Sequence, residues 1–298
     1  MSSKQIVLIT GASTGFGRIF AETLSRNGHT VFATMRDIIG RNAANSTGLR
    51  ELAQKESLPL HVLEMDVTSD ISVEQAVRSA AEHSGRIDVA INNAGYGLVG
   101  LAESATIEQA QRIMDTNFFG SVRVNRAVLP HMRRQRSGLL LHISSGAGRV
   151  VIPSFAFYCA SKFAMEALAE AYHYELAQQG IDSSIVEPGA YQTPVFGNIV
   201  ITADTQRTET YGAANNIPGK INRILTSSAA NPQEVADAIL RIVETPAGQR
   251  KLRYRVSPQD LGIDAINDLY ATIQSRMLEG FGLATDTTFV QRAAASSD

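Results

Sequence analysis

The feature that most constrains this chain is an alternation of two kinds of segment. Short apolar runs occupy residues 5–10, 30–35, 60–65, 87–92, 139–144, 183–188 and 251–256. Most of the first six are continuously apolar, and several carry β-branched residues, as strands covered on both faces should be. Between them lie amphipathic stretches such as "VEQAVRSAAEH" and "FAMEALAEAYHYELAQQG", the second stopping at Gly180. Strands alternating with helices predict βαβ units and a parallel sheet, hence an α/β fold. No internal repeat and no Pro- or Ser-rich linker interrupts the pattern, so one domain is expected. The exception is a tail from Pro258 onward, which reads as helical and then polar.

Composition narrows the functional classes. The chain has 298 residues, 44% hydrophobic and 19% charged, which describes a globular protein with room for a large core. A net charge of -2 gives no electrostatic basis for binding nucleic acid. No stretch approaches the roughly 18 apolar residues of a membrane span. Cys159 is the one cysteine, which excludes an internal disulfide and fits a reducing compartment. The histidines show no ligand spacing, so no metal is expected. A soluble, cytoplasmic protein is the resulting expectation.

The stretch "TGASTGFG" follows the first apolar run and opens the first helical one. Its spacing, Gly11, Gly15 and Gly17, is G-x-x-x-G-x-G and not the G-x-G-x-x-G fingerprint. Glycines there permit a tight turn and close approach to a pyrophosphate, and a helix N-terminus supplies free N–H groups. Gly11, Ser13, Thr14, Gly15, Phe16 and Gly17 are therefore candidate cofactor contacts. At the end of the second run, "ATMRD" places Met35 where an acid would favour a free ribose hydroxyl, with Arg36 next. Arg36, with Ser13 and Arg41, suits a 2′-phosphate, although Asp37 could still face the ribose. NADP(H) is expected ahead of NAD(H). Asp66 and Val67 end the third run, where Asp66 could meet the adenine amino group or cap a helix. "NNAG" (Asn92, Asn93, Ala94, Gly95) ends the fourth, at the carboxyl edge where sheet ligands bind.

Tyr158 and Lys162 stand at i and i+4, on one helical face. A free tyrosine, with a pKa of about 10, is too weak a base near neutrality. A neighbouring ammonium lowers that value. Ser145, just past the fifth run, could steady a substrate oxygen beside Tyr158, and Asn117 sits inside a long helical pattern.

These motifs in this order resemble the short-chain dehydrogenase/reductase family, in its single-domain branch with hydroxysteroid and retinol dehydrogenase-like members. The resemblance rests on "TGASTGFG", "NNAG", Asn117, "ISS", "YCASK" and "PGAYQT" and covers residues 4–257. It implies a Rossmann-type doubly wound sheet of about seven strands in three layers, with 258–298 as a C-terminal helical extension on the same domain. It implies that Tyr158 exchanges the proton, Lys162 lowers its pKa and binds the nicotinamide ribose, and Ser145 orients the substrate oxygen. Asn117 would hold a relay water, and Pro188, Gly189 and Thr193 would seat the nicotinamide. A substrate loop would occupy about 190–225, either as a lid or as an ordinary amphipathic helix. Tyr96, Leu98, Phe155, Tyr191 and Phe196 would line a pocket for a medium or bulky apolar ketone or aldehyde. A homodimer or homotetramer is expected by the same resemblance. The rival class is a dinucleotide-binding regulator without turnover. The basic cluster Arg250, Lys251, Arg253 and Arg255 reads as charge that protects an edge strand.

Overall fold

The computed structural model describes residues 4–191, 199–226, 230–259 and 262–290. Its strands are β1 (Ile6–Ile9), β2 (Thr30–Met35), β3 (Leu60–Glu64), β4 (Val89–Asn92), β6 (Gly138–Ile143), β7 (Ile181–Pro188) and β9 (Arg253–Val256). They form one seven-stranded sheet in the order β3-β2-β1-β4-β6-β7-β9. Every pairing in it is parallel. The apolar runs give this result because side chains alternate between two covered faces. On one face, Val7, Ile9, Val31, Leu139 and Leu141 pack with residues of α1 (Gly15–Arg26), α2 (Ala43–Glu56) and α9 (Gln233–Glu244). On the other, Leu8, Phe32, Ala90 and Leu140 pack with α3 (Asp70–Ser84) and α5 (Gly120–Gln135). The chain is thus a three-layer Rossmann-type fold. Strand order reverses direction between β1 and β4, so their carboxyl ends open a crevice.

One strand boundary moves for a physical reason, and one reading of surface charge changes. β7 starts at Ile181, before the apolar part of its sequence. Its polar residues are buried with partners: Asp182 pairs with Arg250, Ser183 donates to the Ala169 carbonyl, and Ser184 donates to the Lys251 carbonyl. Such a strand carries no apolar alternation to read. β9 is indeed an edge strand, but the basic cluster does not guard it. Arg250 and Arg253 turn inward, each side chain 8% exposed, to meet carboxylates of β7 and of α6 (Ala156–Glu175). The edge-charge reading is therefore corrected at those two positions.

A second, small sheet pairs β5 (Leu98–Val99) with β8 (Val200–Ile201). It ties the segment after "NNAG" to the described part of the expected substrate loop, which continues as α7 (Thr205–Glu209) and α8 (Ile217–Thr226). Gln109 of α4 (Ile107–Met114) staples it by donating to the Ile201 carbonyl and accepting from the Ala203 amide. The tail forms α10 (Ile263–Gly280). Asn267 of α10 donates to Glu187, and further on the Val290 amide donates to the Ala177 carbonyl.

Candidate active site

One cleft of about 1190 Å³ runs across the carboxyl ends of the strands. Gly11, Ser13, Thr14 and Phe16 line one end, with Arg36, Asp66, Val67, Asn93, Ala94 and Gly95 beside them. Ser145, Tyr158, Lys162, Pro188 and Gly189 line the other, with Tyr96, Leu98, Phe155 and Tyr191 also on the wall. The chain therefore gathers nearly all the predicted residues into one place. Thr193 and Phe196 lie outside the described residues. Gly15 and Gly17 are buried beside that lining, where they shape the loop and the first turn of α1.

The glycine loop is shaped by close backbone approach. Gly11 has φ +66, and a Cβ there would lie 2.8 Å from the Ala94 Cα. A Cβ on Gly17 would collide with the Gly11 carbonyl and the Asn93 amide. That Asn93 Nδ2 donates to the Thr10 carbonyl at 2.8 Å, and Thr10 Oγ1 accepts from the Asn93 and Ala94 amides at 2.9 Å. "NNAG" thus locks the fourth strand's end to the first loop. Thr14 precedes α1 without a side-chain cap, which leaves first-turn N–H groups free beside the cleft. This donor set, uncapped and flanked by Arg36, Arg41 and Ser13, fits the diphosphate and sugar of a dinucleotide. Asp66 takes the Thr68 amide and hydroxyl on one oxygen, while Ser69 caps α3. Asp66 therefore caps a turn, not the helix.

At the other end Tyr158 and Ser145 share the cleft wall, with Ser145 Oγ accepting from the Ala147 amide. Burial pushes the Tyr158 phenol up, against a smaller downward pull from the nearby Ser145 hydroxyl. Lys162 lies behind: its Nζ donates to the Ile143 carbonyl at 2.7 Å and sits 5.7 Å from the Tyr158 ring centre. Burial lowers Lys162 to about 8, against the pull of Glu166. The Lys162 ammonium is turned to a carbonyl, and burial sets the direction of the Tyr158 shift. Phe155 packs edge-on to Tyr158 at 5.8 Å, and Tyr191 sets its edge against Phe16 while donating to Glu234. Tyr191 accordingly lines the cleft from the α1 side.

Asn117 is 1% exposed, on a π-helical turn (Asp115–Phe119) between α4 and α5. Its Oδ1 accepts from the Tyr96 amide and its Nδ2 donates to the Tyr96 carbonyl and Ser161 Oγ. The side chain implied to hold a relay water thus ties the Tyr96 loop to α6. Sequence reading missed what stands behind the serine: Ser144 Oγ donates to Glu166 Oε1 at 2.6 Å. The i+4 spacing from Lys162 to Glu166 was the one available signal. Cys159 is buried, and its Sγ accepts from the Ile152 amide.

A fold with a crevice at its strand reversal, a glycine loop and a Ser–Tyr–Lys wall defines a class, and comparison with known proteins agrees. The model of the short chain dehydrogenase family matches residues 5–204, and the chain belongs to that family of oxidoreductases. It is 40% identical over 239 residues to a 3-ketodihydrosphingosine reductase of Bacteroides thetaiotaomicron, covering 80% of this chain and 83% of that one. It is 34% identical to retinol dehydrogenase 8 of Homo sapiens, covering 93% and 91%. A solved short-chain dehydrogenase from Streptomyces avermitilis superposes with a TM-score of 0.75 at 30% identity, covering 97% of this chain and all (100%) of that one.

Proposed function

We propose that this protein transfers hydride between NADP(H) and a carbonyl or secondary alcohol, acting mainly as a reductase of medium or bulky apolar ketones or aldehydes. The observation that carries this reading is that Ser145, Tyr158 and Lys162 line one wall of the cleft that the glycine loop also lines. When bound, the nicotinamide supplies the hydride. The chain's residues do the rest. Ser145 holds the substrate oxygen against Tyr158. Burial keeps the Tyr158 phenol protonated at neutral pH, the state a proton donor to a carbonyl oxygen requires. Lys162, lowered to about 8, is poised to return a proton once the phenol has given its own. Asn117 braces the wall that carries Tyr96.

The choice of NADP(H) rests on Arg36, Arg41 and Ser13, all of which line the cleft. It rests also on Asp37, whose carboxylate accepts from the Gly40 and Arg41 amides and so closes its own loop. The apolar substrate rests on Leu98, Val150, Ile152, Phe155, Ile199 and Ile263 in the wall, and is in keeping with the 3-ketodihydrosphingosine and retinol for which two relatives are named. Among the described residues no helix is long and apolar enough to cross a membrane. We place the protein in the cytoplasm as a homodimer or homotetramer. Exposed Ile107 and Phe119, on α4 and the adjoining turn, support assembly there.

The test is NADPH oxidation against a panel of apolar ketones and aldehydes, with NADH and Tyr158→Phe in parallel. We expect turnover with NADPH that falls by roughly 10²–10⁴ in the variant. Equal turnover in Tyr158→Phe would overturn the acid/base assignment. Turnover with NADH alone would overturn the cofactor preference.

A further inference from the structure

Directly behind the catalytic wall lies a buried charge cluster with members from four separated parts of the chain. Glu166 and Glu170 come from α6, Glu187 from the end of β7, Arg253 from β9, and Arg149 from the turn after Ser145. Arg253 is the hub. It reaches Glu170 at 2.7 Å, Glu166 at 3.3 Å and Glu187 at 3.6 Å. Arg149 approaches Glu166 at 3.8 Å, and the Tyr174 hydroxyl donates to Glu170. Well-packed apolar side chains could fill such a space at no loss of stability, so a buried charge cluster invites a specific role.

Its position supplies one. Glu166 accepts from Ser144, the residue before Ser145. Glu187 precedes Pro188 and Gly189, both in the cleft wall. The outer side of the cluster is closed by α10. Asn267 donates to Glu187 Oε2 at 2.7 Å. The Tyr270 ring lies under both guanidinium groups, 4.8 Å from Arg149 and 5.3 Å from Arg253. Ile263, at the start of the same helix, itself lines the cleft, and a Cβ on Gly146 would touch it at 2.8 Å. The helix thus meets the catalytic end both through the cluster and directly.

On the reading of the cleft given above, we propose that α10 is a positioning element of the active site: through Asn267 and Tyr270 it holds the Glu166–Arg253–Glu187 cluster, which in turn sets Ser145 and the Pro188–Gly189 bend. Asn267, Tyr270 and Arg253 are positioning residues; none of them needs to touch the substrate. The C-terminal extension is then a working part of the enzyme and not an appendage.

The experiment uses the full chain as wild type, Asn267→Leu and Tyr270→Leu, both changes on the outer helix. Two measurements are made: amide hydrogen exchange without added dinucleotide, and steady-state kinetics with NADPH. The reporters are the amides of Ser144, Gly148 and Gly189, bonded to the carbonyls of Val186, Ser145 and Val256. We expect their exchange to quicken at least tenfold in both variants while the amides of β1 are unchanged. We expect kcat to fall tenfold or more with KM altered less than threefold. Unchanged exchange at the three reporters overturns the proposal, whatever the kinetics. Equal acceleration in β1 also overturns it, because the helix would then serve global stability alone. A wild type without turnover would sink the proposed function, while the exchange comparison would still decide this point.

Discussion

The two ends of the cleft are built by opposite means. The nucleotide end is backbone against backbone: Gly11 against Ala94, Gly17 against the Gly11 carbonyl, and Asn93 bridging two main-chain oxygens. Few charges are buried there, and its parts are two short stretches brought together by the pairing of β1 with β4. The catalytic end stands on buried side-chain charge drawn from residues 149 to 270. The difference teaches where each end is vulnerable. The first fails when a carbon atom is added; the second fails when a charge loses its partner.

The largest expected effect comes from breaking the second end. Arg253→Met leaves Glu166, Glu170 and Glu187 without their hub, and an uncompensated buried charge of this kind costs about 3–5 kcal/mol. Urea unfolding at pH 7 should show a loss of that size; a change below about 1 kcal/mol would mean that the cluster is not held by charge. Next is Gly17→Ala. Its added carbon must displace the Gly11 carbonyl or Asn93. We expect dinucleotide affinity to weaken about ten- to hundredfold, by titration of NADPH fluorescence, with strain of roughly 1–3 kcal/mol behind it. Retained affinity would show that the loop tolerates side-chain bulk and would erase the contrast.

The last contrast is the pH dependence that separates the ends. Burial and the neighbouring Glu166 raise Glu187 to about 7 from an ordinary 4.5. The folded state therefore holds a proton that the unfolded chain releases. The resulting stability is complete below pH 4.5 and is lost as pH rises through 7. Unfolding free energy should fall between pH 5 and 7 in the wild type, and the Glu187→Gln difference should isolate that slope. A parallel profile in the variant would assign the slope to other groups.

Much of this protein could be read before folding. The strands showed themselves because a parallel sheet covered on both faces demands apolar runs, and β2 was read to the residue. β7 hid its start because Asp182, Ser183 and Ser184 are buried by pairing and not by apolarity. The glycine loop, "NNAG" and the Tyr158–Lys162 pair were legible because each is a short motif written within a few positions of the chain. The inward turn of Arg253 was not, since its partners lie 66 or more positions away (Glu187, Glu166 and Glu170).

What the amino-acid sequence determined by itself was therefore the layered sheet, the place of the crevice and the residues that reach it. Those features depend on periodicity, turn chemistry and one helical turn of spacing, all local properties of a chain. Only the tertiary structure decided that the Lys162 ammonium faces the Ile143 carbonyl, that Asn117 is committed to Tyr96 and Ser161, and that the C-terminal helix closes a buried charge cluster. Each of those turns on which polar groups meet once water is excluded. That choice is made by packing, and no local pattern announces it.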